Sequence, residues 1–230
     1  RVVGHPPGVG GHWLGSVVGA VGCGKLGQAM FRLARPFGFS RLIAYDPFLT
    51  QDQVEPLGVE LVNLETVFRE SDYVTVNALL QAASVGLVSE RLLRLMKPTA
   101  YFINTARGPI VDQNALIRVL QDRAIAGAGI DVYETEPPPA DLPLFALDNT
   151  IVPPHGLPWT EELARDNGLE ARDNILPVSA GLSAAGLVTR GVPATASAQA
   201  QLDRRRPPQR NPHRLNTPHT RRPAPVAQVP

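Results

Sequence analysis

The sequence has a single cysteine, Cys23, among 230 residues. No internal disulfide can form, which suits a reducing compartment and predicts a cytoplasmic protein. No apolar run is long enough to span a bilayer, and the chain does not open on the charged, apolar and small-residue pattern of a signal peptide. Internal repeats are absent, so nothing suggests a solenoid. From Gly181 onward lysine is absent and Asp203 is the only acidic residue, set against eight Arg, a charge of +7. Since the whole chain is +1, residues 1–180 carry −6. An acidic body argues against nucleic acid as the partner of the folded part.

What is present is 43% hydrophobic residues, enough at this length for a full core. The stretch 181–230, with runs such as Arg204-Arg205-Arg206-Pro207-Pro208, buries too little apolar surface to offset its ordering entropy and predicts a disordered Pro/Arg-rich tail. Residues 1–13 read as an irregular remnant, leaving 14–180 as the folded domain. There, apolar runs alternate with helical patterns, which predicts an α/β fold with a parallel sheet and crossover helices. Strands are expected at 16–21, 41–45, 59–62, 73–76, 100–104, 126–130 and 150–152. The first helix, 25–36, is expected to carry Leu26, Ala29, Met30 and Leu33 on one apolar face. Further helices are expected at 64–70 behind an Asn63 cap, at 89–96, at 112–121 with Ala115, Leu116 and Val119 inward, and at 160–179.

The run Gly22-Cys23-Gly24-Lys25-Leu26-Gly27 joins the first strand to the first helix. In that setting Gly22 permits a tight turn, Gly24 lets the backbone approach a pyrophosphate, and Gly27 allows the helix to pack closely. A phosphate there meets unpaired N–H groups and the positive end of the helix dipole. Asp46 lies 19 residues beyond Gly27, where a carboxylate accepts ribose hydroxyls and repels a 2′-phosphate. The features describe a doubly wound, Rossmann-type dinucleotide-binding domain with NAD, rather than NADP, as the expected cofactor. Arg41 is a competing feature, although a phosphate-binding Arg is expected nearer the strand end.

Downstream stand Asn104-Thr105-Ala106-Arg107-Gly108, then Gly129-Ile130-Asp131-Val132-Tyr133-Glu134-Thr135-Glu136-Pro137, then Pro154-His155. In this order behind the glycine loop they resemble the D-isomer-specific 2-hydroxyacid dehydrogenases, over roughly residues 14–178. The resemblance implies an NAD-dependent oxidoreductase acting on the CH–OH group of small 2-hydroxy acids, and reducing 2-keto acids such as glyoxylate or hydroxypyruvate. It implies a homodimer and no metal. Arg107 would grip the substrate carboxylate, which suits a planar guanidinium able to make paired charge-assisted bonds. His155 would be the acid/base, a task that fits an imidazole's ordinary pKa of about 6.5.

Glu136 would pair with that imidazole and orient it. Chemistry alone leaves Glu134 as a rival; the Glu-Pro pairing of the family selects Glu136. Asp131 would hold the nicotinamide carboxamide. Lys25, Leu26 and Thr105 complete the implied cofactor contacts, together with Arg107 and His155. The chain departs from the family at Asn77-Ala78-Leu79-Leu80, where Leu79 replaces a proline, and at Pro158 beyond the histidine. Only 21 residues precede Gly22, where the family places most of a substrate domain, so that domain is expected to be largely missing. The 230 residues alone are then expected to bind NAD(H) with little or no turnover. An NAD(H)-responsive, corepressor-like binding module and a degenerate fragment are the alternatives.

Overall fold

In a computed structural model of the protein, residues 14–179 are described; the expectations for 1–13 and 181–230 lie outside them. The described residues divide between Leu157 and Pro158 into two compact units.

The first unit is a sheet with crossover helices. Its strands are short apolar runs with little alternation, as parallel strands covered on both faces require. In β1 (Val17–Val21) four of five residues are buried. The others are β2 (Arg41–Tyr45), β3 (Val59–Leu61), β4 (Tyr73–Val76), β5 (Tyr101–Asn104), β6 (Gly127–Ile130) and β7 (Thr150–Ile151). They form one seven-stranded sheet in the order β3-β2-β1-β4-β5-β6-β7, with every pairing parallel. Strand order reverses beside β1, which opens a crevice between the ends of β1 and β4. Val21 is level with Tyr45 and Val76, Val76 with Asn104, and Asn104 with Ile130. Gly22, Asp46, Asn77, Thr105 and Asp131 therefore each leave the sheet as the first residue past a strand, along one edge.

The helices are α1 (Lys25–Ala34), α2 (Gln51–Val54), α3 (Leu64–Glu70), α4 (Glu90–Leu93) and α5 (Gln113–Gln121). Asn63 caps α3 by accepting from the Thr66 N–H at 2.8 Å, and Asp112 caps α5 by accepting from Ala115 at 2.9 Å. One core cluster gathers Phe68, Phe102, Leu92, Leu93, Leu116 and Leu120; a second gathers Val18, Phe31, Leu42 and Val54. Burying each large side chain contributes roughly 1.5–3 kcal/mol.

Two helix expectations are corrected. In α1 the inward residues are Gly27 and Phe31, while Leu26 and Leu33 are 76% and 74% exposed and Ala29 is exposed too; Met30 is half-buried. The helix carries two apolar stripes, and Gly27 decides which one faces the sheet, because lacking a Cβ it alone can approach the loop carbonyl beneath it. The helix also stops at Ala34, where Pro36 turns the chain into a tighter 3-10 turn ending at Gly38, φ +80. The helix expected at 89–96 is only α4; Leu95 and Met96 hydrogen-bond three residues back instead of four. Pro98 disfavours continued α conformation just ahead of it.

The described part of the second unit, taken by itself, holds the helix α6 (Glu161–Ser179), whose start is capped by the Thr160 hydroxyl accepting from Leu163 N–H at 3.1 Å. None of its side chains is buried. No helix among the described residues is long and apolar enough to cross a membrane.

Candidate active site

At the β1 exit the three loop glycines meet different surroundings. Gly22 turns at φ +94, and a Cβ on it would stand 2.7 Å from the Ala78 nitrogen and 2.8 Å from its Cα, so the loop lies against the β4 exit. A Cβ on Gly27 would stand 2.5 Å from the Gly22 carbonyl oxygen; the close approach is to the loop rather than to the strand. Gly24 has nothing within 4 Å of its Cβ position. The N–H groups in the first turn of α1 lack intrahelical acceptors, and neither a side-chain cap nor an acidic residue occupies them.

Asp46 accepts from the Cys23 N–H at 2.8 Å and from the Phe48 N–H at 3.0 Å, which fixes its carboxylate beside the loop with acceptor capacity to spare. The Cys23 thiol is wholly buried, and burial followed by the charge of Asp46 pushes it up to about 11. It stays neutral and acts as packing rather than as a nucleophile. Arg41 sits at the opposite edge, level with Val17, and forks to Glu60 and Glu70 at 2.7 Å each. It does not compete for a phosphate at the loop. An uncapped helix start, open space over Gly24 and a carboxylate on the adjoining strand fit a dinucleotide.

Beyond β5, Asn104 shapes the turn that carries Thr105 and Arg107. It is 1% exposed, accepts from the Ala106 N–H at 3.1 Å and donates to the Arg107 carbonyl at 3.1 Å. Thr105 and Arg107 are exposed, and the guanidinium donates to the Ala106 carbonyl at 2.6 Å. Gly108 follows, and a Cβ there would overlap the carbonyl carbon and oxygen of Tyr133. The Arg107 turn and the segment leaving β6 are thereby pressed backbone to backbone.

That segment holds the histidine loop. His155 Nδ1 is 2.7 Å from Glu136 Oε2, and the other Glu136 oxygen accepts from the Tyr133 N–H at 3.0 Å. Glu136 rather than Glu134 meets the imidazole; the Glu134 N–H donates to Gln113. The buried Asp131 carboxylate accepts from Gly156 N–H at 3.0 Å and from Leu157 N–H at 3.3 Å. His155 itself adopts φ +53, a left-handed conformation that costs a non-glycine residue on the order of 1 kcal/mol.

Burial pushes the Glu136 carboxyl up, but the Tyr133 N–H, the His155 ring and the charges of His155 and Arg107 together pull it below its ordinary value of 4.5. A depressed carboxylate contributes stability that is present above that ordinary value and lost as pH falls through the folded one. Glu136→Gln is accordingly expected to flatten the fall of Tm on acidification below pH 4.5. An acid limb identical to that of the unaltered chain would contradict this assignment.

The sequence pattern of the NAD-binding domain of the D-isomer specific 2-hydroxyacid dehydrogenases matches residues 7–156. The chain belongs to this family. It is 38% identical over 178 residues to a glyoxylate reductase of Korarchaeum cryptofilum, covering 77% of this chain and 53% of that protein. It is 33% identical over 168 residues to a D-3-phosphoglycerate dehydrogenase of Archaeoglobus fulgidus, covering 73% and 32%. Superposed on the NAD-complexed D-isomer specific 2-hydroxyacid dehydrogenase of Lactobacillus delbrueckii ssp. bulgaricus, it gives a TM-score of 0.68 at 30% identity, covering 75% of this chain and 56% of the other. The chain thus spans about half the length of the first of these relatives and of the superposed structure.

Within this 2-hydroxyacid dehydrogenase domain, Leu79 is 78% exposed at the β4 exit, and the Asn77 side-chain nitrogen beside it is buried without a hydrogen-bond partner. Sequence reading did not single out Asn104, Tyr133 or the hydrogen bonds of Asp131 to the histidine loop. An Asn closing an apolar strand and an aromatic two residues past an Asp carry no distinctive sequence signal, because their roles depend on what the fold brings opposite them.

Proposed function

We propose that the chain is the cofactor-side half of an NAD-dependent oxidoreductase that reduces small 2-keto acids, such as glyoxylate or hydroxypyruvate, to 2-hydroxy acids. The observation that carries this reading is the His155–Glu136 pair at 2.7 Å, on the same sheet edge as the glycine loop. The first turn of α1 and Gly24 would receive the pyrophosphate, with Lys25 and Leu26 at the helix start. Asp46 would accept the ribose hydroxyls, which favours NAD over NADP. Thr105 and the remaining acceptor sites of Asp131 would face the nicotinamide end. Bound there, NADH supplies the hydride.

Arg107 has the chemistry to hold a carboxylate through paired charge-assisted bonds. With Nδ1 engaged by Glu136, the His155 Nε2 is left to deliver a proton to the carbonyl oxygen, and Glu136 stabilises the ring while it is charged. His155 and Glu136 side chains are 39% and 36% exposed. Such exposure supports cofactor binding with little turnover until something covers the cleft and excludes water. A cytoplasmic homodimer completes the proposal. Its supports are the single cysteine of the sequence, which suits a reducing compartment, and the exposed apolar Leu33 and Phe37 on α1 and the turn after it.

The test pairs an NADH titration with a keto-acid screen. Saturable NADH binding is expected, and its absence would sink the reading. Reductase activity, in this chain or in any longer polypeptide carrying these residues, is expected to fall by about two to four orders of magnitude in His155→Ala. NADH affinity should meanwhile stay within about twofold, as for a group outside the cofactor's main binding energy. Joint loss of binding and activity would instead mark His155 as structural.

A further inference from the structure

His155 holds a left-handed backbone conformation that is unfavourable unless both flanks are tied. Asp131 ties the far flank through Gly156 and Leu157. The near flank is tied by Tyr133, whose hydroxyl donates to the Pro153 carbonyl at 2.7 Å. The Tyr133 ring is 3% exposed and rests edge-on against Phe145 at 5.8 Å. Burial, then the charges of Asp131 and Glu136, push the phenol above its ordinary value, so it keeps the proton that it donates. A phenylalanine would fill the same space; the oxygen adds only the link to the histidine loop.

The backbone of Tyr133 does a second task, since its N–H holds the Glu136 oxygen that is not on the histidine. We propose that Tyr133 is a positioning residue for His155: its amide sets the carboxylate that receives the imidazole, and its hydroxyl sets the backbone two residues ahead of the imidazole. The inference rests on the dehydrogenase reading, in which the ring must present Nε2 to the cleft. With both partners fixed, the neutral ring carries its proton on Nδ1, facing Glu136, and leaves Nε2 as the free lone pair. With Pro153 untied, the loop relaxes, the Nδ1 contact lengthens and the proton redistributes to Nε2.

The experiment is ¹⁵N NMR of the imidazole nitrogens in the 230-residue chain labelled at histidine, at a pH where imidazoles are neutral, with His155 assigned by its loss in His155→Gln. Nδ1–H is expected to dominate in the unaltered chain. Tyr133→Phe should move the ratio of tautomers about fivefold toward Nε2–H, the effect of losing one net hydrogen bond, while NADH affinity is unchanged. Glu136→Ala should move it further. A Tyr133→Phe ratio equal to that of the unaltered chain, with Glu136→Ala displaced, overturns the role of Tyr133 and leaves the dehydrogenase reading standing, even if Tm has dropped. If Glu136→Ala is also without effect, both fall, because the pair on which both rest is not formed. A reading that needs no variant is the Tyr133 hydroxyl proton. Slow exchange with solvent is expected; a freely exchanging hydroxyl overturns the proposal.

Discussion

Gly108→Ala is expected to lower Tm by about 10 °C, from a destabilisation of about 3 kcal/mol. The added methyl would overlap the carbonyl carbon and oxygen of Tyr133, and no rotamer change can relieve a collision with backbone. The segment it displaces carries Glu136 on one side of Tyr133 and Asp131 on the other. NADH binding in the surviving folded fraction should be largely kept, because the glycine loop leaves β1, three strands along the sheet from the β6 exit that is displaced. Scanning calorimetry gives the check; a Tm within about 2 °C of the unaltered chain would show that the two segments separate without cost.

Gly24→Ala should have the reverse profile, a fold left intact and a cofactor site lost. Gly24 sits at φ −67 with nothing within 4 Å of its Cβ position, so alanine is accommodated and stability should stay within about 0.5 kcal/mol. The methyl would occupy the approach to the first-turn N–H groups, and NADH affinity is expected to fall about 100-fold, about 2.8 kcal/mol. Gly22→Ala makes the contrast. At φ +94 and against the Ala78 backbone, it should lower both Tm and affinity. Isothermal titration and melting of the two variants separate these outcomes. Gly24→Ala binding NADH as tightly as the unaltered chain would move the pyrophosphate away from this loop.

The strands and the glycine loop could be read from sequence because parallel strands buried on both faces leave unbroken apolar runs, and because the loop's spacing between β1 and α1 reflects a backbone constraint. The face of α1 could not. Leu26 and Leu33 are more hydrophobic than Gly27, yet the missing Cβ of Gly27 sets the contact, and periodicity counts apolar side chains rather than their absence. Arg107, Glu136 and His155 stand out through the family pattern alone; residue chemistry does not separate Glu136 from Glu134, and the structure adds that the carboxylate 2.7 Å from His155 is that of Glu136. Asn104 and Tyr133 were illegible for a related reason. Their partners, Ala106, Arg107 and Pro153, are main-chain groups, and main-chain groups are the same in every sequence.

The level strand ends also govern which sequence changes this domain can absorb. Because Gly22, Asp46, Thr105 and Asp131 are each held at the edge by ladder hydrogen bonds of the preceding strand, one residue inserted inside β1, β2, β5 or β6 would invert the side chains beyond it and carry a functional group to the wrong face. Insertions between a helix and the next strand, at the far edge, would leave every one of those positions in place. Length variation among descendants of this chain should therefore collect at Gly38, Gly58 and the turn after Asp122, while the strand-to-loop junctions keep their count.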